Sequence, residues 1–532
     1  MKLSVIKKSL PIALLFTLGL TSAVYAQDGN PTDKLQASVD SLTISANVLW
    51  VLIAGFLVFF MQAGFALVEV GFTRAKNVAH TMLMNMMVFC IGAIGYWICG
   101  FAFQFGAVNH TYPATAISAT QASPTWAFSP VTLGSWGDSL SSGLVIAEQW
   151  GIIGLSGFFL HGISLSAAGI FAFFLFQMVF MDTAATIPTG SGAERIKFFG
   201  FVLMSLWVSM FIYPLAGNWV WGGGWLANLG RTMGLGNGAV DFAGSGVVHM
   251  TGGAVGLAIA LVLGPRIGRF NEDGSANVIP AHNIPMGILG TIILFFGWFG
   301  FNPGSALGIQ GSFINLVTLA AVNTLLAGAA GGISAMSYMW LLSEAKKPDP
   351  GMSVNGVLAG LVAITAPCAF VDPVSAVIIG AIGGVIACLA TVLLEKLHID
   401  DPVGAVPVHL FGGMFGVLSV GIFANGNPDT AAWNGIDAPV TGLLYGNPSQ
   451  FMAQSLEVLA IGSFAFGLSY AFFSVLHRAK LLRSLPEDEI AGLDIPEMGV
   501  PGYVTDIPVP GGYVVPRPQA MPVGVLAKET NR

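Results

Sequence analysis

Apolar residues in this chain gather in runs of about 20 residues or more, the length at which a helix crosses the hydrocarbon core of a bilayer. Eleven such runs follow one another, near 46–71, 78–104, 164–190, 196–221, 243–264, 283–306, 313–343, 353–371, 373–397, 403–424 and 451–477. Polar positions fall between them. The shortest gap, Val371–Pro373, reads as a tight turn at a membrane face. The pattern predicts an all-α polytopic membrane protein with eleven transmembrane helices.

The two ends read differently. Lys2, Lys7 and Lys8, the apolar stretch Leu10–Leu20 and the small-residue site Val24–Ala26 predict a signal peptide over 1–26. Residues 27–45 are polar without apolar periodicity and predict an extracytoplasmic lead-in. The membrane domain then covers 46–479. A long loop, 106–163, is rich in Ser, Thr, Ala, Pro and Trp, and its end over Gly154–Ile163 is expected to dip into the interface. The tail, 480–532, divides into an acidic part up to 503 and a Pro/Val/Gly-rich part, 504–532, expected to be disordered.

Lys and Arg collect on the cytoplasmic side of a membrane protein. With the N-terminus outside and eleven crossings, the inside loops and tail hold fifteen of them, from Arg74 and Lys76 to Arg532; the outside holds Lys34 and Arg231. The charges therefore predict an N-out, C-in protein of the cell (inner) membrane.

Composition narrows the class. Only 9% of the 532 residues are charged and 54% are hydrophobic, against about 25% charged in a soluble domain. A soluble enzyme, a disordered chain and, at net charge −7, a nucleic-acid binder are excluded. The 69 glycines suit helices that pack backbone to backbone. Cys90, Cys99, Cys368 and Cys388 lie inside apolar runs and read as small core residues.

One internal repeat carries the chemistry. Asp241–Gly253 opens the fifth span and Asp401–Gly413 the tenth, and they share the Asp, a Gly, a Val, the His and a final Gly-Gly. Five helices separate the copies, so the second enters from the opposite face: an inverted five-helix repeat plus an eleventh helix, with the pathway expected between the halves. The repeat sets His249 and His409 at equivalent depths, where a facing pair can handle protons or line a greasy pore. Metal binding is disfavoured, since no Cys or carboxylate cluster completes a ligand set. Asp401 reads as a helix cap. For Asp241 the cap and an attraction for incoming cations weigh about equally. Glu69 and Asp182 read as paired structural acids.

At these residues the sequence resembles the ammonium transporter (Amt/Rh) family. The resemblance rests on Ala63–Asn77, Phe176–Phe180, Ala193–Ile196, Trp219–Gly224, Asp241–His249, Gly297–Ser305, Asp401–His409 and the tail motif Gly492–Gly499, in family order. It implies a homotrimer with one pore per subunit. Trp221, Phe176, Phe180 and Ser305 would recruit ammonium, Phe180 and Phe301 would form the gate, His249 and His409 would line the pore, and Asp241 would be a structural acid. It implies no cofactor, no metal and no enzymatic activity, and a possible PII-type signalling partner at the tail. Leu410 and Pro407 depart from the pattern; Pro407 is expected to kink its span. An ammonium sensor and a neutral gas channel are the other readings.

Overall fold

The computed structural model describes residues 31–504 apart from 108–139, 141, 147–149, 431–432, 435 and 437. The expected signal peptide, most of the long loop and the 505–532 end of the tail lie outside the described residues.

Among the described residues ten helices are long and apolar enough to cross a bilayer. They are α1 (Pro31–Phe72), α2 (Ala75–Phe105), α3 (Ala168–Gly192), α4 (Phe198–Val220), α5 (Ser245–Leu263), α6 (Ile284–Ala306), α7 (Phe313–Leu341), α9 (Pro373–Lys396), α10 (Val406–Phe423) and α11 (Pro448–Arg478). Between α7 and α9 lies the shorter apolar α8 (Pro350–Thr365). Two short helices, α12 (Pro486–Ala491) and α13 (Asp494–Met498), follow in the tail.

Local chemistry sets several starts. Asn283, Asp349 and Asp372 each accept a backbone N–H of the turn that follows, and each precedes a helix with proline in its first two positions. A proline there forfeits no hydrogen bond, so the polar cap and the ring act together. Asp372 takes the N–H groups of both Val374 and Ser375 at 2.9 Å, which fixes the tight turn expected at Val371–Pro373.

Two boundaries differ from the sequence reading. The lead-in is helical: α1 starts at Pro31, with Asp33 in its first turn, and runs unbroken into the apolar stretch. No Gly or Pro interrupts it between Thr32 and Ala54, so helix propagates into the polar residues. The third span starts at Ala168 rather than 164. Ahead of it, β1 (Gly143–Val145) and β2 (Gly151–Gly154) form an antiparallel hairpin, and Gly151 also bridges Gly224.

The outside is greasy and the inside is partly polar, the reverse of a soluble domain. Phe56, Phe59, Ile94, Leu289, Ile292 and Leu459 are exposed along their spans, while Gln104, Asn323, Thr365 and Gln454 are buried. The chain is a multi-pass membrane protein. Its helices alternate between a hairpin side, where β1 and β2 lie, and a tail side, where the tail contacts Arg195 and Lys76. α1 packs along α6, α3 against α5, and α8 against α10, as an inverted repeat requires.

Candidate functional site

Each half of the repeat builds the same local structure. Asp241 takes the N–H groups of Gly244, Ser245, Gly246 and Val247 at 2.8–3.0 Å on its two carboxyl oxygens. Asp401 takes that of Val406 at 2.7 Å and the Ser191 hydroxyl at 3.3 Å. Both acids thus accept backbone N–H groups at the start of the helical turn that follows. Gly244 and Gly404 follow in the left-handed region, at φ 110° and 79°, where an L side chain is strained. Each histidine then sits in a π-helical turn, Ser245–Met250 or Val406–Phe411. Pro407 stands at the start of its turn rather than mid-helix, so no interior hydrogen bond is lost and no kink follows from it.

The shared Gly-Gly pairs bring the halves together. A Cβ on Gly413 would lie 2.8 Å from the Met250 nitrogen and 2.5 Å from the Ser245 oxygen, and one on Gly253 would overlap the Leu410 backbone. Only glycines let α5 and α10 cross this closely.

The crossing puts His249 Nδ1 3.2 Å from His409 Nδ1. The rings lie 5.2 Å apart at 19°, and His249 stacks on Trp298 and Phe301 as well. In a neutral pair one Nδ1 must donate and the other accept. The donor ring then shows a bare Nε2 and the acceptor ring an Nε2–H. Nε2 of His249 is buried without a protein partner, so the pair has hydrogen-bonding capacity left for a small polar guest.

Toward the hairpin side, Phe180 and Phe301 stack at 4.0 Å and 20°. Phe176 and Trp221 flank Phe180 at 4.5 and 6.1 Å. Beyond this pair a cavity of about 10 Å³ is lined by Phe176, Phe180, Trp221 and Ser305 together with Gln177, Phe242, Leu307, Trp433 and Asn434. All four residues expected at a recruitment site therefore share one cavity. Ser305 donates its hydroxyl to Phe301 O at 2.8 Å, which leaves oxygen lone pairs for a donor. Asn434 Oδ1 is buried and unpartnered. Trp433 and Asn434 went unnoticed in the sequence because they sit in a loop without a repeat partner; a Trp-Asn pair on the same face as Trp221 was the available signal.

The whole chain can be placed by comparison. Residues 49–503 match the model of the Ammonium Transporter Family. The chain belongs to that family. It is 42% identical to ammonium transporter Amt2 of Archaeoglobus fulgidus over 495 residues, 92% of this chain and 94% of the relative. It is 36% identical to a putative ammonium transporter of Synechocystis, covering 87% and 90% of the two chains. Among solved structures, a chain titled Sensor Amt Protein superposes with TM-score 0.70 at 37% identity, covering 86% of this chain and 99% of that one. Mep2 of Candida albicans superposes with TM-score 0.65 at 26% identity, covering 84% and 87%.

In this ammonium transporter family member the Asp241 loop is held from α11. Gln454 accepts from Val240 N and donates to Val240 O, both at 2.8 Å. One turn earlier Gln450 accepts from Asn237 N and donates to Gly238 O. The amides mimic a neighbouring β-strand. Glu457 completes the row: its Oε2 accepts from Gln454, while its Oε1 is unpartnered. These three residues were missed because a polar stripe on the last span has no counterpart in the repeat.

The acids near the tail side pair differently from the expectation. Glu69 accepts from Thr189 and Asn85, and one oxygen of Asp182 has no partner. The buried ion cluster lies beyond the spans. Arg266 donates to both oxygens of Asp400 at 2.8 and 3.0 Å and lies 3.3 Å from Glu194, which also binds Arg74. Burial alone would raise the Asp400 carboxyl, but the Arg266 hydrogen bonds and the charges of Arg195 and Arg266 bring it down to about 2.

Proposed function

We propose that the protein moves ammonium nitrogen inward across the cell membrane, N-terminus outside and tail inside, as a homotrimer with one pore per subunit. The reading is carried by one arrangement: two histidines in contact directly below a stacked Phe pair that closes an aromatic cavity. Ammonium enters the cavity of Trp221, Phe176, Phe180 and Ser305. The aromatic faces attract the cation by about 0.5–2 kcal/mol, and Ser305 accepts one of its hydrogens. At 4.0 Å the Phe180–Phe301 stack leaves no passage, so the rings part for each molecule. An intact cation beyond the gate is costly. Ammonium can shed its proton and cross as ammonia along His249 and His409; potassium has no proton to shed, and this gives selectivity. The imidazoles carry the proton separately. The chain's own residues suffice for these steps without a cofactor. The charge asymmetry of the loops supports the orientation. The family resemblance supports the trimer and a PII-type partner on the tail side.

A second reading is ammonium sensing, favoured by the likeness to the chain titled Sensor Amt Protein. The test is the full-length protein in liposomes, with current and isotopic nitrogen uptake measured together. Uptake with current supports the transporter. Uptake without current supports a neutral gas channel, and binding without uptake a sensor.

A further inference from the structure

The passage on the tail side of the histidines contains a carboxyl to which the transport reading gives no work. Below His409 a cavity of about 20 Å³ is lined by Phe65, Glu69, Asn355, Leu358, Val408 and His409, among others. That is room for one water-sized molecule, and ammonia is of that size. His409 and Glu69 are its only titratable lining groups among the described residues. Gly404 lines both this cavity and a wider one of about 280 Å³ at the tail side, where Asp400, Asp401, Glu395, Arg266 and Arg269 stand. The small cavity is thus the last narrow seat before a charged mouth.

Glu69 is 3% exposed. Its Oε2 accepts from the Asn85 amide at 2.8 Å, and its Oε1 lies 2.6 Å from the Thr189 hydroxyl, whose single hydrogen also faces the Thr186 carbonyl at 2.6 Å. Both donors are neutral, and among the described residues no Lys or Arg forms an ion pair with it. The titratable groups nearest it on the elements around it are Asp182 on α3, His80 on α2 a turn nearer the tail, and His409 and Asp401 at α10; Lys76, at the tail end of α2, is held by the carbonyls of Glu489 and Ile490. No fixed cation among the described residues is paired with the Glu69 carboxyl. A buried carboxyl so placed stays neutral or takes a cation as partner. With its hydrogen turned to Glu69 the Thr189 hydroxyl joins Asn85 in holding the carboxylate, and with it turned to Thr186 O the same oxygen can accept from the protonated carboxyl. The site is built to alternate between the two states.

Resting on the transport reading, we propose that Glu69 is the proton-exchanging group at the inner end of the pore. When the seat holds water, the proton from the His409 ring passes through that water to the Glu69 carboxylate. When it holds ammonia, the Glu69 O–H bond breaks and an N–H bond forms. The electron pair stays on the carboxylate, and ammonium leaves through the charged mouth. Each cycle takes in one proton and one ammonia and releases one ammonium, with no redox change. A single seat used in turn rejoins what the gate separated.

The test uses the full-length protein in liposomes under an inward ammonium gradient, with current and isotopic nitrogen uptake read together. Glu69→Gln keeps the volume and one acceptor. Its current per nitrogen transported should fall by about tenfold or more, with the half-saturation of capture unchanged, and Glu69→Asp should recover part of the current. A Glu69→Gln protein with the wild-type ratio, or an Asp variant no better than Gln, overturns the proposal. Thr189→Val gives an independent check that keeps the carboxyl. It removes the hydroxyl that faces Glu69 Oε1, so the pH midpoint of the current moves; an unmoved midpoint counts against Glu69. A wild-type protein that takes up nitrogen without current, or none at all, fails the transport reading itself, and the two failures are distinct.

Discussion

Gly253 of α5 lies against the backbone of Leu410 of α10, and Gly413 answers it against Met250 and Ser245. The histidine contact of 3.2 Å depends on this crossing. An added methyl has no space to enter, and overpacking of this kind costs about 1–3 kcal/mol. Gly253→Ala or Gly413→Ala should leave a folded protein with the rings pushed apart. Ammonium uptake should drop by about tenfold or more, for a loss of alignment of this order. Uptake by both alanine variants at the wild-type rate would detach the crossing from the transport step.

Trp221 is 3% exposed, faces the aromatic cavity and donates its Nε1–H to Asp241 O at 2.7 Å. Trp221→Leu removes both the ring face and that bond. The half-saturation for ammonium should rise up to about tenfold, the size of a cation–π contribution, while discrimination against potassium persists. Competition assays with methylammonium measure it. An unchanged half-saturation would reduce the ring to packing.

The amide row on α11 acts on the same cavity from behind. Gln454→Leu leaves the buried N–H and C=O of Val240 without their partners, at about 1–3 kcal/mol for each group. The variant should melt several degrees lower and bind ammonium more weakly. No hydrogen bond of Gln454 reaches His249 or His409, so selectivity should survive. Loss of selectivity with normal capture is the result that would contradict this assignment.

Much of this was legible in the sequence because the membrane simplifies the problem. A run of apolar residues must be a helix there, since no water satisfies a broken backbone. Eleven such runs and the Lys/Arg asymmetry left one order of crossings. The repeat then placed His249 against His409, because a duplicated motif in opposite orientation implies a pseudo-dyad. Other features had no such support. The helix over 31–45 is polar and exposed, so hydropathy does not register it. The role of the Gly-Gly pairs appears only when α5 and α10 are seen to touch. Trp433, Gln450 and Gln454 occur once each, outside the repeat, and no rule of spacing points from them to Trp221 or Asp241. Glu69 was legible as a buried acid but not its partners, because Thr189 and Asn85 come from two other helices.

Asp400 gives a pH prediction. Its carboxyl is held at about 2 in the folded protein against an ordinary 3.8. A depressed carboxyl stabilises the fold above its unfolded value, and the contribution disappears as pH falls through the folded one. The window is therefore from just under 4 down to about 2, and the contribution at neutral pH is about 2 kcal/mol. Asp400→Asn leaves Arg266 buried and underpaired, so it should destabilise by about 3–5 kcal/mol at pH 7 and flatten that acid limb. Thermal unfolding in detergent across the range, wild type against variant, measures both. An acid limb of equal slope in the two proteins would move the effect to other carboxyls.

The last prediction concerns the tail. The acidic stretch Glu487–Glu489 lies in α12. Within the chain Glu489 binds Arg483 at 2.8 Å and accepts the Ile267 N–H at 2.7 Å. Arg483 donates to the carbonyls of Leu263 and Pro265 at the end of α5. Lys76 holds the carbonyls of Glu489 and Ile490, Asn77 holds Leu493, and Asp494 takes the N–H groups of His80 and Gly502. The tail up to Tyr503 thus ties the start of α2 to the end of α5, the helix that carries His249. These are contacts within one chain, and they join the tail to the helix that carries His249. Ending the chain after Tyr503 keeps every one of these bonds, including that of Tyr503 to His282. Transport should then stay near normal. Ending it after Arg483 removes Glu489, Leu493 and Asp494 together, and the activity, or the coupling between subunits, should fall sharply. Rates in liposomes for both truncations, with the oligomeric state of each checked by native mass, decide the matter. Two truncations that transport like the full chain would leave the tail as a solvated charge run with no part in gating.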